Sequence, residues 1–391
     1  MGGRMLRFVT AGESHGRALI GLVESYPAGF PLSCDGIDRD LARRQCGYGR
    51  GPRMRLEHDR ATILTGVRRG RTLGSPITVM IENRDRRDDM TVDRPAKRTH
   101  PRISIPRPGH ADLAGAIKYD THDIGDILER ASARETAIRV ACGAIARQLL
   151  EHFGIRIASH VVAIGPVTIG RKKYTFDQIA QDADKSPVRC LDPVFAADMM
   201  KTIRETKRQK DTLGGIFEVR AAGLPVGLGS NAQWFARLDG ALAGAMISIP
   251  SVKGVEIGDG FAAGRKRGSQ ALDDIYYDAR NGAGRTKGFY RRTNFAGGIE
   301  GGMTNGAEIV IRAACKPIAT LRQPLATVNL VTKTVDRALV TRADVCVVPA
   351  AAVVGEAMMA MILASAFTDV FGNDSLGQIE TNFKAYLDRE F

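Results

Sequence analysis

Apolar and polar positions alternate over 6–10, 18–24, 61–67, 76–82, 155–165, 215–222 and 307–312. Several of these runs are rich in Val and Ile, and a period of two predicts half-buried strands. A helical period runs instead through 37–45, 124–153, 194–209, 232–248, 350–367 and 374–389. The longest of these puts Ala137, Val140, Ala141, Ala144, Ile145 and Leu149 on one face, and Gly154 is placed to cap its end. The last starts at Asp374-Ser375 as a cap and turns Leu376, Ile379, Phe383 and Tyr386 inward. Strands gather ahead of groups of helices in both halves, rather than alternating with them one for one. That order predicts an α+β fold with antiparallel sheets, not a doubly wound parallel sheet. No Pro/Ser linker divides the chain, so one domain over 1–391 is expected. Residues 1–4 read as a short extension, and the charge-dense stretch 83–102 as a mobile loop.

The apolar stretch 345–367 has the length of a membrane span. Pro349, Glu356 and Ser365 interrupt it, and its many Ala residues suit close helix packing, so it reads as core. The chain has 391 residues, 44% of them hydrophobic, enough for a large core. Aromatics are only 6%, which argues against a stacking surface for single-stranded nucleic acid. The net charge is +13, and its distribution matters more than its size. Ten arginines and no lysine lie between Arg39 and Arg71, threaded with Gly47, Gly49 and Gly51 and accompanied only by Asp40, Glu57 and Asp59 as acids. This cluster is either a built anion site or a solvated basic face. The six cysteines are at least twelve residues apart, so neither a CxxC motif nor zinc-ligand spacing occurs. No signal peptide or myristoylation motif is read at Met1-Gly2. A reduced, cytoplasmic protein is the expectation.

Three blocks carry candidate chemistry. Gly12-Glu13-Ser14-His15-Gly16 ends the first strand. Arg107-Pro108-Gly109-His110-Ala111-Asp112 is a rigid turn with a cation beside an imidazole, and Arg130-Ala131-Ser132-Ala133-Arg134-Glu135 follows it. Arg342-Ala343-Asp344 is the third. Histidine exchanges protons near neutral pH, and arginine grips phosphate and carboxylate by a planar fork. Together they suggest proton transfer on a small anionic substrate. Each histidine also has a plain reading as a turn residue bonded to backbone, and Asp344 has one as an ion-pair partner of Arg342. Gly297–Gly302 and Lys316-Pro317-Ile318-Ala319-Thr320 offer amides, a hydroxyl and an ammonium suited to a phosphorylated cofactor. Gly227–Ala232 fits GxGxxA, but the parallel βαβ pattern such a site needs is missing.

These blocks, with Gly47–Gly51, Asp211–Gly215, Gly254–Gly258 and Gly298–Gly306, resemble chorismate synthases, in that family's order and from about Met5 to the C-terminus. The resemblance implies two antiparallel sheets sandwiching a helical layer, in a homotetramer. It implies an anti-1,4-elimination of phosphate and a ring proton from 5-enolpyruvylshikimate 3-phosphate, giving chorismate. Reduced FMN is the cofactor although the net reaction is redox-neutral, and NADP is associated with the family. An external reductant would supply the flavin's electrons. Neither nucleic acid nor membrane is an expected partner.

By the same likeness, His15 protonates the leaving phosphate, His110 protonates the reduced flavin and Asp344 works at flavin N5. Ser14 and Ser132 relay protons or hold substrate. Arg44, Arg50, Arg107, Arg134 and Arg342 clamp the substrate's anionic groups. Arg130, Ala131, Ser132, Gly301, Lys316, Pro317, Ile318, Ala319, Thr320 and Arg342 line the FMN. Ala343, Ser25 and Phe295 depart from the family's usual residues, and Ala343 removes a polar contact near the flavin. Two readings from other classes compete. An RNA-binding protein predicts steep salt dependence without flavin binding, and a Rossmann dehydrogenase predicts tight NAD(P) binding without FMN.

Overall fold

The computed structural model describes residues 5–87, 90, 102–170, 172–281, 284–340 and 343–391. The expected extension 1–4, most of the expected loop 83–102, and Arg342 lie outside the described residues.

Two antiparallel sheets organise the chain. The first holds β1 (Arg7–Ala11), β2 (Ala18–Glu24), β3 (Thr62–Ile63) and β4 (Ile77–Glu82) in the order β1-β2-β4-β3. Its register pairs Phe8 with Val23 and Leu19 with Ile81. The second holds β5 (Arg156–Ile164), β6 (Val167–Thr168), β7 (Gly215–Ala222), β8 (Val252–Ile257) and β9 (Ile309–Cys315) in the order β8-β9-β7-β5-β6. Every pairing in both sheets is antiparallel. The GxGxxA stretch therefore has no parallel strand behind it. Gly229 is glycine for another reason: its φ is +88°, and a Cβ there would lie 2.4 Å from the Gly302 carbonyl oxygen.

The main helices are α1 (Cys34–Gln45), α2 (Thr136–His152), α3 (Pro193–Arg208), α4 (Leu238–Ile247), α5 (Val348–Phe371) and α6 (Leu376–Asp388). Helix α2 packs on β2 and β4, α5 packs on β5 and β7, and the two helices pack along each other. Small residues make this closeness possible. A Cβ on Gly21 of β2 would stand 2.5 Å from Cys142 Sγ, and one on Gly143 of α2 would stand 2.4 Å from Ala357 Cβ of α5. One apolar core, from Leu6 to Phe383, fills the space between these layers. The span-length apolar run is its centre: 20 of the 24 residues of α5 are buried. Its buried carboxylate, Glu356, is fully enclosed against Arg43, Arg147 and Arg189 and accepts a bond from Ser159 Oγ at 2.5 Å.

Three departures from the sequence reading have local causes. The expected helix 124–153 is broken into Gly125–Arg130, a 3-10 turn at Ala133–Glu135, and α2. Ser132 takes extended backbone at the break, and its hydroxyl accepts from Arg134 N, capping the turn. The expected strand 61–67 shrinks to Thr62–Ile63, because the chain turns into a hairpin, Val67–Arg68 with Arg71–Thr72. Three further two-stranded ribbons join that hairpin outside the two sheets, at Tyr276–Tyr277 with Phe289–Tyr290, Ile299–Glu300 with Met303–Thr304, and Ala326–Val328 with Val335–Arg337. The helix expected over 232–248 starts only at Leu238, after a 3-10 turn at Trp234–Ala236.

Candidate active site

The end of β1 and the helix break around Ser132 meet. Ser14 Oγ lies 3.1 Å from Ser132 Oγ, although 118 residues separate them in sequence. Ser14 N donates to the Glu129 carbonyl at 2.9 Å. Glu129 then holds His15 twice: His15 N donates to Oε2 at 2.7 Å, and ring Nδ1 lies 2.8 Å from Oε1. Burial alone would raise the Glu129 pKa, but the bonds from His15 hold it below its ordinary value. From the other side Arg53 donates to Ser14 Oγ at 2.7 Å and to the Ser14 carbonyl at 2.5 Å. Asn83 ties the turn down through the carbonyls of Glu13 and Gly16.

Two of the expected clamps lie directly beneath. Arg134 is buried and donates to Asn83 Oδ1, Asp59 and Glu57. Arg44 is buried against Thr136 Oγ1, the Ala133 carbonyl and Asp59. Burial lowers the Arg44 pKa and Asp59 opposes it, with Arg50, Arg134 and Asp344 close enough to contribute. Both guanidiniums already have carboxylate partners, so a substrate anion would meet them only by exchange.

Arg44 thus leads to a second group. Arg50 Nη1 pairs with Asp344 Oδ2 at 3.3 Å, and Gly51 N donates to Asp344 Oδ1. Arg50 Nε is buried without a hydrogen-bond partner among the described residues. Ala343 brings only its backbone to Gly51.

The third group centres on His110. Its Nδ1 contacts Asp112 Oδ1, which is fully buried. Asp112 also accepts from Arg107 Nε at 2.9 Å, and Arg107 Nη1 reaches Thr320 Oγ1 at 2.8 Å. Burial would raise the Asp112 pKa, but His110 and Arg107 hold it far below the usual carboxylate range. Arg107 therefore supports His110, with Nη2 lying 3.0 and 3.2 Å from its ring nitrogens. Lys316 Nζ donates to the Gly109 carbonyl, which fastens 316–320 to this turn. Ile318 O accepts from Thr212, and Ala319 Cβ would lie 4.0 Å from a Cβ on Gly109. Pro317 is exposed at the head of the segment. Thr320 and Asp344 line one cleft together with Thr212, Lys207, Lys210 and Arg322, which joins the second and third groups.

Beside Ser132 lies an open polar depression of about 210 Å³, lined by Thr10, Arg130, Ala131, Ser132, Glu135, Arg139 and Pro250. Lys316 N bonds the Ser251 carbonyl at 2.9 Å, so the 316–320 segment abuts its rim. Guanidiniums, an ammonium and hydroxyls are the donor set a phosphate ester needs, and the residues fit a phosphorylated cofactor. Gly301 is not part of this grouping. It turns the hairpin Ile299–Glu300/Met303–Thr304, which packs on α4.

The chorismate synthase family profile matches residues 6–368. The chain belongs to the chorismate synthase family. It is 52% identical to the chorismate synthase of Symbiobacterium thermophilum over 393 residues, covering 98% of this chain and 99% of that one. It is 50% identical to that of Geobacter sulfurreducens over 388 residues, covering 98% and 99%. A crystal structure of a chorismate synthase superposes with a TM-score of 0.79 at 40% identity, covering 98% of each chain. The RNA-binding and dehydrogenase readings are not favoured against chorismate synthase relatives that span almost the whole chain. Arg53, Asn83 and Glu129 were missed as site residues. Arg53 was one of ten arginines with nothing local to single it out, and the reach of Glu129 to His15 depends on the fold.

Proposed function

We propose that this chain is a lyase that makes chorismate from 5-enolpyruvylshikimate 3-phosphate by anti-1,4-elimination of phosphate and a ring proton, with reduced FMN as cofactor. The observation that carries the reading is the joining of Ser14, Ser132 and Arg53, with His15 tied in through Glu129, into one hydrogen-bonded group. Such a group offers a proton donor, hydroxyls and a cation to one leaving anion. His15 donates a proton to the departing phosphate oxygen, and Ser14 and Ser132 pass protons or hold substrate. Arg53 and Arg50 meet the substrate's charges first, since all four guanidiniums have carboxylate partners but these two are more exposed than Arg44 and Arg134. Reduced flavin, when bound, supplies the electron density that weakens the C–O bond to phosphate. Arg130–Ser132 and Lys316–Thr320 would hold it, their guanidinium, ammonium and hydroxyl donors suiting its phosphate. His110 keeps a proton at the flavin ring, and Asp344 accepts one at N5.

Gly301 and Arg342 belong to the same reading as flavin contacts, as does the sheet–helices–sheet layer order within one domain. The contacts of α2 with the first sheet, α5 with the second, and the two helices with each other support that order. A homotetramer supplied with electrons from outside completes the proposal. Anaerobic assay with dithionite-reduced FMN should give chorismate absorbance, and oxidised FMN without reductant should give none. Turnover with oxidised flavin alone, or none with reduced flavin, contradicts it.

A further inference from the structure

We propose that Glu129 is a positioning residue that keeps a proton on His15 Nδ1, making the neutral ring the Nδ1–H tautomer and leaving Nε2 as the nitrogen that takes up and gives the exchanged proton. The catalytic consequence rests on the function proposed above; the tautomer does not.

The argument starts from what a carboxylate can accept. Glu129 is buried, and both its oxygens face His15: Oε2 takes the backbone N–H at 2.7 Å and Oε1 lies 2.8 Å from ring Nδ1. An ionised carboxylate only accepts hydrogen bonds. Nδ1 must therefore carry a proton, whatever the state of Nε2. The other described charged groups around the ring do not compete. Asp85 Oδ2 is 3.9 Å from Nε2, beyond hydrogen-bond range, and lies 3.6 Å from Arg53 Nε. Arg87 Nη1 is 3.8 Å from Glu129 Oε1, too far to take its lone pairs from His15. Arg53 is spent on Ser14 and Glu57.

The same arrangement does not fix His110. Asp112 gives its oxygens to Arg107 as well, and Arg107 Nη2 faces both ring nitrogens, so no single partner decides that tautomer. Glu129 serves His15 alone among the histidines, and its backbone carbonyl holds Ser14 N at 2.9 Å. One residue thereby orients both members of the Ser14-His15 pair. With Nδ1 committed, the proton that His15 exchanges with substrate moves through Nε2.

Glu129→Gln makes this testable, because an amide has one accepting oxygen where the carboxylate has two. If the Gln oxygen keeps the His15 backbone N–H, its NH2 faces Nδ1, which must then accept. The ring is forced into the Nε2–H tautomer. Nitrogen-15 imidazole spectra of the ligand-free chain at about pH 9, above the ordinary histidine range near 6.5, separate the two forms. The His15 signal is assigned by its loss in His15→Asn. The unsubstituted chain is expected to show Nδ1–H. Glu129→Gln is expected to show Nε2–H, with kcat down about 10²–10⁴-fold, as for loss of a positioned acid–base group, and with substrate KM little changed. An Nε2–H tautomer in the unsubstituted chain overturns the proposal, and this holds even if Glu129→Gln fails to fold. So does a Glu129→Gln chain with the original tautomer and full kcat. Absence of turnover by the unsubstituted chain with reduced FMN would instead strike the functional reading, in a separate measurement.

Discussion

Asp344 accepts from Gly51 N and pairs with Arg50, so it has a structural duty as well as a proposed chemical one. Asp344→Asn keeps an oxygen for the Gly51 amide and loses the charge and the base. It is expected to bind substrate and FMN nearly normally and to turn over about 10²–10⁴-fold more slowly, the range for a lost acid–base group. Single-turnover rate, FMN affinity and melting temperature measured together check this. A variant that melts early but reacts normally once saturated would leave Asp344 with the pairing duty alone. Residues of this kind are readable in the sequence as types set in short blocks, two of them built on glycine. Ser14, His15, Ser132, His110 and Asp344 all came forward that way. The sequence did not show which cations stay free. Glu57 and Asp59 are two of only three acids between Arg39 and Arg71, and the fold gives Asp59 to Arg44 and both acids to Arg134. That choice depends on which side chains end up within a few ångströms, and spacing along the chain carries no record of it.

Among elements, the helix break at Ser132 and the contact between α2 and α5 decide where the site forms. The periodicity of 124–153 runs through the break, because an apolar stripe continues across it, so only the cap at Ser132 marks the interruption. The helix pair is better encoded. Small residues recur where the helices touch, and Gly143 is the tightest point, its absent Cβ facing Ala357 Cβ at 2.4 Å and the Ala357 carbonyl oxygen at 2.6 Å. Gly143→Ala gains up to about 1 kcal/mol in helix propensity. The methyl meets backbone that cannot swing aside, and overpacking of this kind costs about 1–3 kcal/mol. Net loss of stability is expected, read as a lower denaturant midpoint with unchanged slope. A midpoint equal to or above that of the unsubstituted chain would mean the helices sit further apart than described.

For the molecule as a whole, the buried charge network at Glu356 links α1, α2, α5 and the Arg189 segment. Burial would raise the Glu356 pKa, but Arg43, Arg147 and Arg189 hold it far below the carboxylate range. Glu218, bonded to His160 and flanked by Arg220 and Arg312, is likewise held down to about 2 against burial. Folded values below unfolded ones mean stability that is fully present above the unfolded carboxylate value of about 4.3 and is lost as pH falls below it. Melting temperature should therefore decline steeply on acidification from about pH 5. Glu356→Gln should lower stability near neutral pH by about 3–5 kcal/mol, since Arg43, Arg147 and Arg189 lose a shared buried counter-charge and keep only Asp40 and Asp184, and should flatten the acid decline. An unchanged acid profile in that variant would place the pH sensitivity elsewhere. The order of strand and helix runs announced the α+β class and the Ala content of 345–367 the core role of α5, while Glu356 read only as an interruption of an apolar run. In the proposed elimination, His15 and His110 serve separate proton transfers. Single-turnover chorismate formation, followed anaerobically with reduced FMN and saturating substrate in His15→Ala and His110→Ala, tests this most directly. Each variant should fold normally and lose about 10²–10⁴-fold in rate; a wild-type rate in either would contradict the claim for that histidine.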